Sequence, residues 1–207
     1  MFRPMVKSSC LIACLLAASF ALAQTEFSAD IVNTGREGGG KKAKIYFGKD
    51  KMRIESAEQR GMGGAFIMDL SAHTSIVVMD QQHMYMEVPI QMQGRRDPYH
   101  FFQAGDAENA CPDWLAQPSN KGGTCRKVGT ETVNGRSAVK YEGTNAEGKS
   151  GTVWLDPKLR FPLKWQGENG GSGELQNIKE GLQPASLFEI PADYKKFDMG
   201  GMMQQQH

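Results

Sequence analysis

Apolar and polar residues alternate with a period of two along most of the chain from Phe27 onward. In KAKIYFGKDKMRIES, Ala43, Ile45 and Phe47 alternate with lysines and a tyrosine, and after a short polar turn Met52 and Ile54 alternate with charged residues. A period of two places the apolar side chains on one face of a strand. The pattern predicts a hairpin with one buried and one solvent-facing side.

Similar short runs fill most of the chain up to the closing segment PASLFEIPADYKK. AFIMDL, TSIVVMD and HMYMEV follow the first hairpin at short spacing, so the first half is predicted to be a meander of about six antiparallel strands. A second hairpin, CRKVGTETVNGRSAVKYEGT, turns at Asn134-Gly135, a dipeptide suited to a tight turn with positive φ. The chain is therefore predicted to be mainly β.

Residues 151–166, GTVWLDPKLRFPLKWQ, carry two apolar runs around an Asp156-Pro157 turn that is expected to set the register of two strands. Trp154 points away from its two apolar neighbours, so the two tryptophans need not form one aromatic site. The side chains expected to share a concave face are Val153, Leu155, Phe161, Leu163 and Trp165.

The alternation stops between residues 94 and 123, where the chain is rich in turn residues. Two short apolar clusters interrupt this segment, one with Phe101 and Phe102 and the other with Trp114. We interpret it as an insertion between two halves of a sheet, whose apolar side chains cover another part of the protein.

The N-terminus has the features of a secretory signal. Basic residues precede an apolar run of about a dozen residues, which is shorter than the roughly 20 needed to span a membrane, and the run ends in a small-x-small sequence. Residues 1–23 are predicted to be cleaved, leaving no integral membrane segment. Retention as an anchor, or lipidation at Cys14, is the less favoured interpretation because most of the apolar run follows that cysteine.

The expected mature protein is one domain over residues 24–196, followed by a disordered tail of Met, Gly and Gln at 197–207. Its 22 Lys and Arg stand against 23 Asp and Glu, since the signal removes two basic residues and no acidic one. That balance lacks the concentrated positive charge that nucleic-acid binding requires. Export to the periplasm is expected, with an extracellular location as the alternative.

Two cysteines remain in the mature chain, Cys111 and Cys125. In an oxidising compartment an even number of cysteines indicates a disulfide. A bridge closing about 15 residues stabilises by roughly 3 kcal/mol in the chain-entropy model.

The sequence contains no convincing catalytic or cofactor-binding motif. It has four histidines after the signal, at positions 73, 83, 100 and 207, and no serine in a Gly-x-Ser-x-Gly elbow. No enzymatic activity, cofactor or metal is predicted.

Methionine is unusually frequent, with ten in the mature chain. Flexible thioethers suit either a plain core or a surface that adapts to ligands of variable shape. Met84 and Met86 share a strand face, so a soft copper(I) site is a minor alternative.

The order of KIYFGKDKMRIE, IMDL, HMYMEV, VGTETVNGRSAVKYE, VWLDPKLRFPLKW and PASLFEIPADYKK resembles a family of exported bacterial proteins of unknown function that is similar to the lipoprotein-carrier superfamily. The resemblance covers most of residues 27–196. It implies an unclosed antiparallel barrel of about ten strands around an apolar cavity, with short helices and loops as a lid. The lid would include Phe101, Phe102 and Trp114, and the cavity candidates are Met52, Ile54, Met84, Met86, Val153, Leu155, Phe161, Leu163 and Trp165.

Two functions from different classes follow. In the first, the protein is a non-enzymatic carrier that binds an apolar ligand, such as an acyl chain of a lipoprotein, inside the barrel. In the second, its own side chains fill the sheet and its outer surface binds another protein of the cell envelope.

Overall fold

A computed structural model describes residues 25–34, 42–56, 64–89, 105–168 and 171–197. The predicted signal peptide, most of the predicted tail, and Phe101 and Phe102 lie outside the described residues. Within the described part of the chain, no helix is long and apolar enough to cross a membrane.

In the described ranges, twelve strands form one open sheet in the order β12-β6-β5-β4-β3-β2-β1-β11-β10-β9-β8-β7. All neighbours are antiparallel except β6 and β12, which are parallel. The predicted fold class, an unclosed antiparallel barrel, is confirmed, with two strands more than expected. The strands are β1 (Phe27–Asn33), β2 (Lys42–Phe47), β3 (Lys51–Ser56), β4 (Gly64–Asp69), β5 (Thr74–Met79), β6 (Met84–Pro89), β7 (Thr124–Val133), β8 (Arg136–Thr144), β9 (Ser150–Asp156), β10 (Phe161–Gly167), β11 (Ser172–Glu180) and β12 (Lys195–Lys196).

The first six strands are the predicted meander, and the two predicted hairpins are present. In the β2-β3 hairpin, Ile45 lies opposite Ile54 and Phe47 opposite Met52. The turn between β7 and β8 has φ of 48° at Asn134, and it closes the pair as Asn-Gly turns do.

The sheet curls on itself. Val133 in β7 and Met68 in β4 belong to one cluster of buried side chains, although seven strands lie between them in the sheet order. The Asn134 side chain at the β7-β8 turn also donates a 2.9 Å hydrogen bond to the Leu175 carbonyl of β11.

We call the cluster of buried side chains that contains Val133 and Met68 the main cluster. Its members are Phe27, Ala29, Ile45, Phe47, Met52, Met68, Leu70, Val133, Ala138, Trp154, Leu159, Phe161, Leu163 and Leu175.

The opposite face of β4 and β5 is covered by the chain after β11. Ala65, Ile67 and Val78 pack with Phe188, which lies in a 3₁₀ helix at Ala185–Phe188. The Arg53 guanidinium holds this segment by donating a 3.1 Å hydrogen bond to the Leu187 carbonyl. We call this group the outer cluster.

The described part of the insertion packs on β7, β8 and β9. A short helix, α1 (Cys111–Ala116), is joined to β7 by the predicted Cys111–Cys125 disulfide, which the structure confirms with a Cα–Cα distance of 5.5 Å. The Tyr141 hydroxyl donates a 3.0 Å hydrogen bond to the Ala107 carbonyl and fixes the segment before α1. The buried side chains here form the disulfide-side cluster, which consists of Ala107, Val139, Tyr141 and Leu155 with Ala110, Cys111, Cys125 and Val153 at its margin.

Asp156 does more than form a turn. It is 2% exposed, and its Oδ1 accepts hydrogen bonds from the amides of Lys158 (2.8 Å) and Leu159 (3.0 Å). Its Oδ2 lies 2.5 Å from the Arg136 Nε, and Arg136 also contacts Glu180 at 2.8 Å. This network ties the ends of β8, β9 and β11 together, because a buried carboxylate needs such partners.

Candidate functional site

The strand register defines the face of β1–β6 that carries the main cluster, here called the inner face. Directly paired residues of antiparallel strands share a face. One row across the sheet runs from Phe27 through Phe47, Met52 and Met68 to Ser75. The inner-face side chains can therefore be compared strand by strand.

One end of the inner face is completely filled. Phe27 and Phe47 stack with ring centroids 5.6 Å apart, and Phe161 of β10 meets them edge-on at 5.3 and 5.8 Å. Met52 and Met68 lie beside them, and all five side chains are at most 1% exposed. We call this group the closed end. It leaves no space for a ligand between these side chains.

The side chains of the inner face are less buried toward β6 and toward the strand ends that lie away from the closed end. Ile54 lies opposite Phe66, Phe66 opposite Val77, and Val77 opposite Met86. All four are half-buried, although they share a face with the closed end. We call the half-buried apolar side chains of this face that are larger than alanine the open strip, which consists of Ile31, Ile54, Phe66, Val77, Met79, Met84, Met86 and Val88.

Two small residues shape the strip. A Cβ at Gly64 would lie 2.1 Å from the Val78 carbonyl oxygen, so only glycine fits opposite Met79. Ser75 is buried, and its hydroxyl donates a 2.9 Å hydrogen bond to the Val88 carbonyl. The Ser75 hydroxyl therefore has its hydrogen-bond partner within the sheet and adds no unsatisfied polar group beside the strip.

The nine predicted cavity residues do not lie together. Met52, Phe161 and Leu163 are buried in the main cluster, and Ile54 packs at its margin. Met84 and Met86 lie on the open strip, on the same strand face as predicted. The lining of a ligand cavity by any of these residues stays a prediction.

Val153 and Leu155 were expected to share a face with Phe161 and Leu163, and this expectation is wrong. Both belong to the disulfide-side cluster, whereas Phe161 and Leu163 belong to the main cluster. The physical reason is the register of the β9-β10 hairpin, in which Phe161 pairs with Asp156 and Pro162 pairs with Leu155, so Leu155 lies on the face opposite to Phe161. A pairing register that differs by one residue turns the side chains of a strand to the other face of the sheet.

The two tryptophans have different environments. Trp154 is buried in the main cluster, and its indole donates a 2.7 Å hydrogen bond to Glu131. Trp165 is half-buried, and its ring lies where a Cβ on Gly173 would be 2.5 Å away. They do not form one aromatic site.

Charged side chains surround Trp154. The ammonium groups of Lys164 and Lys140 lie 4.8 and 5.2 Å from its ring centroid. The hydrogen bond from Trp154, followed by that from Lys140, lowers the pKa of Glu131 below its usual range. Every member of this group has a partner within it, so we interpret it as a structural cluster.

Only part of the segment predicted to form a lid lies within the described residues. Trp114 lies in α1 and is half-buried, and α1 packs against β7. Its predicted partners Phe101 and Phe102 lie outside the described residues. The lid role of all three stays a prediction.

The described residues hold no group of three or more His, Cys, Asp or Glu that could bind a metal ion. His83 contacts Asp193 at 2.8 Å and stacks on Tyr194 with centroids 5.2 Å apart. These contacts fasten the β5-β6 turn to the chain before β12.

Sequence reasoning missed Ile31, Phe66, Val77, Met79 and Val88 of the open strip. Each lies in a strand predicted from the alternation of apolar and polar residues, so the sequence did indicate the strands. Assigning these residues to one strip also required the pairing of the strands and the burial of each side chain.

The fold has known counterparts. A conserved uncharacterised protein from Thermus thermophilus superposes with a TM-score of 0.53 at 13% identity, covering 85% of this chain and 91% of its own. MucB superposes with a TM-score of 0.51 at 18% identity, over 84% of this chain and 60% of MucB. MucB in the Pseudomonas aeruginosa MucA/MucB complex gives 0.50 at 15% identity, over 84% and 58%. At these identities the likeness shows the fold alone, and the chain spans about three fifths of the MucB length.

No family model matches the chain, and no curated protein matches it. The comparisons support the predicted fold class.

Proposed function

We propose that the protein is a non-enzymatic binding or carrier protein of the periplasm, which holds an apolar chain such as a lipid acyl group against the open strip. The observation that carries this proposal is the contrast in burial along one sheet face. The closed end is at most 1% exposed, whereas eight apolar side chains of the same face remain half-buried. A contiguous row of apolar side chains that stays partly accessible can serve binding.

The energetics suit such a ligand. Each buried methylene contributes about 0.8 kcal/mol, so a chain of several methylenes on the strip outweighs the cost of ordering it. Three of the eight side chains are methionines, whose flexible thioethers adjust to ligands of different shape. The Cys111–Cys125 disulfide supports an exported protein, since such bonds persist in oxidising compartments.

Binding of a fluorescent fatty acid to residues 24–207 tests the proposal. The double variant Met84→Gln, Met86→Gln keeps side-chain size but places amides on the strip, and we expect roughly tenfold weaker binding, or about 1.4 kcal/mol. Glu87→Gln is the matched control because Glu87 is exposed on the other face of β6, where it contacts Lys196 at 2.6 Å. An unchanged affinity in the double variant, with the fold intact by circular dichroism, contradicts the proposal.

A second candidate function is binding of another envelope protein. It is favoured by β7, a ten-residue strand that ends the sheet order, and by Val128, which is 42% exposed within it. An edge strand presents unpaired backbone groups that a partner can use. Native mass spectrometry of protein from its own host separates the two candidates. Copurified lipid supports the carrier, whereas a stoichiometric protein without lipid supports the interaction module.

A further inference from the structure

We propose that Met79, Met84 and Met86 form an oxidation-sensitive thioether cluster, whose conversion to sulfoxides by a peroxide weakens the binding of an apolar ligand to the open strip. The selective oxidation follows from the geometry of the cluster. The effect on the ligand rests on the proposed function above.

The register brings these three side chains together. Met79 at the end of β5 lies directly opposite Met84 at the start of β6. Met86 is two residues farther along β6, opposite Val77, and therefore on the same face. Opposite and next-but-one positions are within reach of long side chains.

Two other methionines provide an internal comparison. Met52 and Met68 are also opposite each other on the inner face, but they are 0% and 1% exposed. Met79, Met84 and Met86 are half-buried. One sheet face thus holds protected and accessible thioethers, which have the same chemistry and differ in access.

The reaction needs only hydrogen peroxide as co-reactant. A sulfur lone pair attacks one peroxide oxygen, the S–O bond forms and the O–O bond breaks. The sulfur loses two electrons, and the departing hydroxide takes the proton from the oxygen now bonded to sulfur, which leaves a sulfoxide and one molecule of water. The product is a polar sulfoxide in place of a flexible apolar side chain, and reductases for each sulfoxide epimer reverse it.

The consequence for binding follows from polarity. A sulfoxide oxygen facing an acyl chain must give up its hydration or keep the chain away from the strip. A bound chain covers the same sulfurs, so ligand and oxidant compete. The empty protein is then the form that oxidises fastest.

The test measures oxidation site by site in residues 24–207, by peptide mass spectrometry after timed exposure to hydrogen peroxide. We expect Met79, Met84 and Met86 to react at least about tenfold faster than Met52 and Met68, because susceptibility follows exposure. A saturating medium-chain fatty acid should slow the three and leave the other two unchanged. Equal rates at all five positions overturn the inference.

A binding measurement separates this inference from the proposed function. The triple variant Met79→Leu, Met84→Leu, Met86→Leu keeps the strip apolar and removes the sulfurs. Peroxide should weaken fluorescent fatty-acid binding several-fold in the wild-type protein and leave the triple variant unaffected, and reductase treatment should restore the wild type. An equal loss in both proteins overturns the role of the cluster. If the untreated wild type does not bind the fatty acid, the proposed function fails together with the effect on the ligand, and the oxidation rates alone decide whether the accessible cluster exists.

Discussion

Met52 and Met86 lie on the same face of one sheet, yet Met52 is fully buried and Met86 is half-buried. The closed end around Met52 receives Phe161, Leu163 and Leu159 from beyond β11, because the curled sheet brings them across. The side chains of the open strip around Met86 lie on the same face but are less buried than those of the closed end. An apolar strand face thus becomes core or accessible surface according to what the rest of the sheet brings against it.

The largest expected difference between the two regions is in stability. Phe47→Ala removes a ring that is 0% exposed and should lower the free energy of unfolding by about 3 to 5 kcal/mol. Phe66→Ala removes the same ring from the open strip and should cost roughly 1 to 1.5 kcal/mol, since only part of its area is buried. Urea unfolding followed by circular dichroism measures both. Equal losses would contradict the distinction between closed end and open strip.

Removing the disulfide should affect stability without affecting the strip. The bridge closes a loop with a sequence separation of 14, so Cys111→Ser, Cys125→Ser should lower the free energy of unfolding by about 3 kcal/mol. The affinity for a fluorescent fatty acid should stay unchanged, because the disulfide-side cluster contains no strip residue. A weakened affinity in the folded variant would place the insertion within the ligand site.

Trp165 is expected to contribute less than the closed end. It is half-buried, with its ring against Gly173, so Trp165→Ala should lower the free energy of unfolding by roughly 1 to 2 kcal/mol. Urea unfolding gives this value. A loss as large as that of Phe47→Ala would identify Trp165 as plain core.

The smallest expected effect is a pH dependence at the closed end. Glu180 lies opposite Phe27, and the hydrogen bond from Lys158, together with that from Arg136, lowers the pKa of this carboxyl below the ordinary 4.5. A depressed pKa stabilises the fold above the unfolded-state pKa, and this stabilisation is lost as the pH falls through the lower, folded-state value. Glu180→Gln should flatten the acid side of the stability profile between about pH 5 and pH 3. Glu189→Gln, at an exposed position, is the matched control for the charge removed.

Much of the fold could be predicted from the sequence because its signals are local. The alternation around Ile45 and Ile54, the Asn134-Gly135 turn and the two cysteines each depend on residues close in the chain or on a simple count. The structure confirms all three.

The grouping of site residues depends on distant parts of the chain. The register of the β9-β10 hairpin, in which Phe161 pairs with Asp156, places Phe161 and Leu155 on opposite faces, although the sequence pattern gives both the same alternation. The burial of Asp156 depends on Arg136, twenty residues away, and on Glu180 of another strand. Periodicity assigns a side chain to a strand face, and only the paired strands show what covers that face.

In the proposed function, an apolar chain lies on the open strip and not in the closed end. The most direct test is a ¹H–¹³C spectrum of the methionine methyl groups of residues 24–207, recorded during titration with a medium-chain fatty acid. We expect shifts of Met79, Met84 and Met86, contacts between their methyl groups and the acyl chain, and unchanged signals for Met52 and Met68. Unchanged signals from the three strip methionines, or ligand contacts to Met52 and Met68 instead, would contradict it.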